Sequence, residues 1–124
     1  MIADPVIQHL ERIREEVEAE RGPFELFALF RRPDSPSEWD LVVAAPWLRD
    51  LKPNGIEYLA GLVYSDALPR TDWWRIARIV TLDESDASFK ELKGLFGKTD
   101  GLKIFEHPRV SGLDLEEAYV LRST

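Results

Sequence analysis

A chain of 124 residues, 44% hydrophobic and 31% charged, has the length of one domain and enough apolar material for one core. With no cysteine, disulfides, thiolate metal sites and cysteine nucleophiles are excluded. The formal net charge of -7 argues against a phosphate-binding surface and hence against a nucleic-acid partner, and no run approaches the roughly 18 apolar residues of a membrane span.

Met1 to Pro5 lack the basic segment and apolar run of a secretion signal, which together with the missing cysteine predicts a cytoplasmic protein. Asp4-Pro5 reads as a helix start, a capping carboxylate followed by proline at the first helical position. Val6, Leu10, Ile13 and Val17 then recur at helical spacing, widened by Ile7, with glutamates and arginines on the other faces. Gly22-Pro23 stops this helix. Phe24 to Phe30 is too short for a helix between its flanks and apolar on both faces, so it predicts a central strand. Arg31 to Glu38 is a loop by composition, and Trp39 to Ala45 a second, mostly buried strand ended by Pro46. Trp47 to Leu51 makes one short helical turn. Asn54, with Glu57 three residues on, caps a helix whose face is Ile56, Leu59, Ala60, Val63 and Ala67. Arg75 to Leu82 is a third strand, with Ile76, Val80 and Leu82 sharing a face with Arg78. Asp83 to Asp86 supply capping residues for a helix carrying Phe89, Leu92, Leu95 and Phe96, and Gly97 ends it. Leu102 to Glu106 and Leu115 to Arg122 close the chain as two strands, with turns at His107-Pro108 and Ser111-Gly112.

The order is α-β-β-α-β-α-β-β over residues 1–124 as a single domain. This predicts the α+β class: a mixed or largely antiparallel sheet of about five strands packed against about three helices.

The residues that could carry chemistry begin with Glu38 and Asp40. A period of two places these carboxylates on one face of the second strand, where a pair can hold divalent cations for phosphoryl transfer. Residues 5–45, a helix, a strand, a polar loop and then Glu38-Trp39-Asp40-Leu41-Val42-Val43, resemble the opening of a minimal nucleotidyltransferase domain. That resemblance implies Mg²⁺-assisted transfer, with Asp83 at the end of the third strand as the third carboxylate. Phe30-Arg31 stand where that family has Gly-Ser, and no glycine lies between Gly22 and Gly55 to let a phosphate approach the backbone. The blocks Trp39-Asp40-Leu41-Val42-Val43 and Arg78-Ile79-Val80-Thr81-Leu82 also resemble those of small uncharacterised bacterial proteins, a likeness that implies no activity.

Asp40 has a structural reading too. A carboxylate in a buried strand needs a partner, and Arg78 on the third strand faces the same demand, so the two are expected to pair. Trp73-Trp74, with Arg70, Arg75 and Arg78 nearby, combine the residue types that dominate interface energies and form a candidate interaction surface; the alternative puts one tryptophan in the core and one on its rim. Trp39 and Trp47 bracket the second strand as core residues or as walls of a ligand cleft. His9 and His107 lack partners at metal-ligand spacing, so no metal site is expected. Arg31-Arg32 could bind an anion or remain a solvated loop.

Three functions are compatible with these residues. The first is a non-catalytic domain acting through protein contacts or as a homodimer, without a cofactor. The second is a divergent nucleotidyltransferase using Glu38, Asp40 and Asp83 with Mg²⁺. The third is a small-ligand binder with a tryptophan-lined cleft.

Overall fold

The computed structural model describes residues 4–34, 37–51, 54–65, 73, 75–83, 85–110 and 113–124. Helix α1 (Asp4–Arg21) puts Val6, Leu10, Ile13 and Val17 into the core, none more than 4% exposed. The helix ends where Gly22 takes φ +111°, a value that disfavours any side chain, and its N–H still donates to the Glu18 carbonyl. Past Pro23, the Glu18 carboxylate accepts from the backbone N–H of Phe24 at 2.8 Å, which fixes the chain's entry into β1 (Leu26–Arg31).

β1 pairs antiparallel with β2 (Trp39–Ala44) on one side and with β7 (Glu117–Ser123) on the other. β3 (Ile76–Thr81) lies parallel to β2, and β4 (Thr99–Glu106) antiparallel to β7. The resulting five-stranded mixed sheet has the order β3-β2-β1-β7-β4, with β1 at its centre. This explains the unbroken apolar run of β1: Phe27 and Leu29 face one layer of helices, and Leu26, Ala28 and Phe30 face the other. A separate two-stranded ribbon joins β5 (Arg109–Val110) to β6 (Leu113–Asp114).

Three helices cover the first face. α1 and α3 (Gly55–Val63) contribute Leu10, Ile13, Leu59 and Val63, and the short α2 (Pro46–Asp50) contributes Leu48. The opposite face is closed by α4 (Ala87–Phe96) through Phe89, Leu92 and Phe96. Each large aliphatic or aromatic side chain buried in either layer contributes about 1.5–3 kcal/mol before entropy is counted. The order is the expected one with α2 and the β5–β6 ribbon added, and the class is α+β. No helix among the described residues is long and apolar enough to cross a membrane.

One strand departs from its periodic reading. Trp39 is level with Ile76, but the next pair is Asp40 with Arg78, so Ala77 is an extra residue on β3. The insertion reverses the alternation. Ile76 joins the α1-side core with Trp39 and Leu41, whereas Val80 and Leu82 pack on the α4 side. Ile76 therefore does not share a face with Val80 and Leu82. The same insertion sets Arg78 beside Asp40, a level that Ala77 would occupy in an unbroken register.

Candidate functional site

The parallel pair β2–β3 frames an opening at one end of the sheet. After β2 the chain turns into α2 and α3 on one face of the sheet; after β3 it turns into α4 on the other. Two adjacent parallel strands whose connections part in this way leave a crevice beyond their carboxyl ends. A cavity of about 460 Å³ lies there, bordered by Leu48 and Arg49 of α2, Gly55 and Ile56 of α3, Thr81 at the end of β3, and Leu82, Asp83, Ser85 and Asp86 after it.

Each wall has a local cause. The Leu82 N–H donates to the Val43 carbonyl at 2.9 Å, extending the β2–β3 ladder one step past Thr81. The loop that follows is tied by its own aspartates: Asp86 Oδ2 accepts from the Asp83 N–H at 2.9 Å, and Asp83 Oδ1 from the Ser85 N–H at 3.4 Å. Asp86 thus braces the loop while occupying the N-cap position of α4. On the other wall α3 begins against α2 so closely that a Cβ on Gly55 would stand 3.2 Å from both Cδ2 and the carbonyl oxygen of Leu48. Arg49 reaches across, its Nη2 donating to Glu25 Oε1 at 3.3 Å and its Nε standing 3.9 Å from Asp83 Oδ1. The crevice therefore presents a guanidinium, carboxylates and hydroxyls around an aliphatic floor.

Asp40 occupies the other end of the same strand pair. It is 5% exposed, and its Oδ2 accepts from Arg78 Nη2 at 3.2 Å. Arg32, from the loop after β1, forms a second ion pair with the same oxygen through Nε at 3.0 Å. Glu38 is half-buried just ahead of β2. Asp83 lies five residues past the Arg78 level of the parallel register, about 16 Å along the strand at roughly 3.3 Å per residue. It lines the crevice, and Asp40 a different cavity. The fold therefore does not gather Glu38, Asp40 and Asp83 in one opening, and among the described residues no three His, Cys, Asp or Glu side chains are grouped to hold a metal ion.

The tryptophans are committed elsewhere. Trp39 is 3% exposed and tilted against Tyr119 at a centroid distance of 4.6 Å. Trp47 donates through Nε1 to the Gly22 carbonyl at 3.2 Å and packs edge-on against Phe24 and Tyr58. Trp73 packs against the α1-side core, 6.0 Å from the Tyr64 ring, and Arg75 is half-buried. Trp74 and Arg70, the remaining members of the expected interaction surface, lie outside the described residues. His9 is buried with Nε2 donating to the Val63 carbonyl at 2.9 Å, and His107 is exposed in a turn.

Two contributors escaped the sequence reading. Arg49 sits in what reads as a minor helical turn, and its only signal is a cation just after a buried strand. Arg32 was visible only as half of a basic pair in a polar loop; its link to Asp40 depends on how that loop folds back. No family model, curated protein or solved structure matches the chain.

Proposed function

We propose that this protein is a non-catalytic binding domain that takes a small polar ligand in the crevice beyond the carboxyl ends of β2 and β3. The observation that supports this reading is the parting of the two connections, α2–α3 to one face and α4 to the other, around a cavity of about 460 Å³. The lining favours a ligand with an acidic or acceptor group for Arg49 and donor groups for Thr81, Ser85 and Asp83. Apart from the crevice, Asp40 is neutralised by arginines, which favours a structural role for it over metal-assisted phosphoryl transfer.

Trp47 shares the short helix α2 with Leu48 and Arg49 of the crevice wall, so a ligand that shifts α2 is expected to alter tryptophan emission. A panel of polar metabolites is expected to contain compounds that change this emission saturably and raise the melting temperature. Arg49→Ala and Thr81→Val should each weaken such a compound about tenfold or more. A compound that binds both variants as tightly as the wild type would place its site elsewhere, and a panel without any response would remove the reading.

Self-association as a homodimer is a second reading, favoured by one feature. On the edge strand β4, Leu102 and Ile104 are 46% and 45% exposed. Sedimentation at rising concentration should then show a dimer in the wild type and a monomer in Ile104→Lys; monomers in both would eliminate it.

A further inference from the structure

The Asp40 cluster borders a second cavity, of about 190 Å³, between the sheet and α4. Its walls are mainly apolar, with Val42, Val80, Leu92 and Leu115 prominent beside Ser88 of α4, and Asp40, Arg32 and Arg78 form its charged end. It shares Leu82 with the crevice and is otherwise separate from it.

We propose that this cavity binds a small monocarboxylate whose apolar body is about the size of a benzene ring. Charge is the first argument. Two guanidinium groups converge on one buried carboxylate, leaving a surplus of one positive charge in the cluster. Asp34 stands 3.5 Å from Arg32, but its side chain is 74% exposed and strongly screened. One surplus charge calls for a monoanion and is a poor match for a dianionic phosphate. Geometry is the second argument. Arg78 engages Asp40 through Nη2, and its side chain is 57% exposed, so the planar fork that suits a carboxylate is presented at the cavity mouth. Size is the third. An enclosed cavity of roughly 150 Å³ walled by aliphatic and aromatic side chains holds benzene; the recess here, open to solvent, has a similar volume of about 190 Å³.

The test is a titration of the whole protein with benzoate, followed by amide NMR shifts, against benzyl alcohol as the body without the charge and acetate as the charge without the body. Benzoate should shift the amides of Val42, Val80 and Leu92 saturably, and each control should bind at least about tenfold more weakly. Arg78→Gln should weaken benzoate by about tenfold, and Val80→Phe, which fills the cavity, should abolish the shifts. Because the first result is read on the wild type, it stands even if a variant fails to fold. The proposal is overturned if either control matches benzoate, if folded Arg78→Gln binds as before, or if the cavity amides do not move. Shifts confined to Thr81 and Ser85 would likewise overturn it and point to the crevice instead.

Discussion

Asp40 is a charge set among apolar residues of β2, and its neighbours determine what it costs. Burying a carboxylate alone would be prohibitive, whereas two guanidiniums offset much of the lost hydration. Removing the carboxylate leaves two cations pressed together at the rim of the α4-side core; removing Arg78 leaves Asp40 still paired with Arg32. Asp40→Ala is therefore expected to cost about 3 kcal/mol in urea unfolding and Arg78→Ala about 1 kcal/mol or less. Equal costs would show that the pair, not the triad, is the unit. Tyr64 gives a second residue-level expectation. Its hydroxyl, at the end of α3, donates to the Ile76 carbonyl at the start of β3 at 2.6 Å, and burial raises its pKa above the ordinary 10.0. The folded state then keeps a proton that the unfolded chain releases, so the stability it confers is level below pH 10 and falls as pH climbs above it. Lys93 acts in the opposite sense. Burial lowers its pKa, Glu25 opposes this and Lys98 adds to it, so its penalty is relieved as pH rises toward 10.5. Tyr64→Phe should be less stable at neutral pH but lose less on alkaline titration than the wild type, which denaturant midpoints between pH 8 and about 11 would reveal.

At the scale of the element, one glycine inside α4 and one that caps it have opposite roles. Gly94 lies inside the helix with open space where a Cβ would point. Replacing it with alanine restricts the unfolded chain without a clash and should stabilise by about 0.5–1 kcal/mol. Gly97 ends the helix at φ 62°, ψ -149°, a region open essentially to glycine alone. Gly97→Ala should destabilise by about 1–3 kcal/mol although nothing stands near the new methyl group. Thermal unfolding of the two variants, three residues apart, separates backbone conformation from packing. The β3 insertion belongs to this scale as well. One residue, Ala77, decides which side chains of the strand face α1 and which face α4, and local hydrophobic pattern cannot record it.

At the scale of the whole molecule, the five-stranded sheet carries a core on each face. β1, β2 and β7 contribute side chains to both layers, so the two layers are expected to unfold together. Trp39, Trp47 and Trp73 all belong to or pack on the α1 side. Leu10→Ala strikes that layer and Leu92→Ala the α4 layer; each should cost about 2–5 kcal/mol. Tryptophan fluorescence and far-UV circular dichroism should show coincident transitions in both variants. A Leu92→Ala protein whose circular dichroism moved while its fluorescence midpoint stayed put would mean that the layers unfold separately.

Much of this architecture is written locally. The four-three-four spacing of α1, the Gly22-Pro23 stop, the two-faced apolar run of β1 and the glycine after α4 each depend on residues within a few positions of one another, and hydrogen bonding and side-chain direction at that range follow from the chain itself. The class and the order of elements were legible for that reason, and so were Asp40 and Arg78 as side chains in need of partners. What only the tertiary structure decided is neighbourhood: that β2 and β3 run parallel, that β7 inserts between β1 and β4, that Arg32 folds back to Asp40, and that Asp83 ends far from it. A periodic pattern states which face of a segment is buried but not against what, because pairing between distant strands is settled by the joint packing of both layers. The crevice and the arginine-edged cavity arise from that packing, so neither had a signature in the sequence.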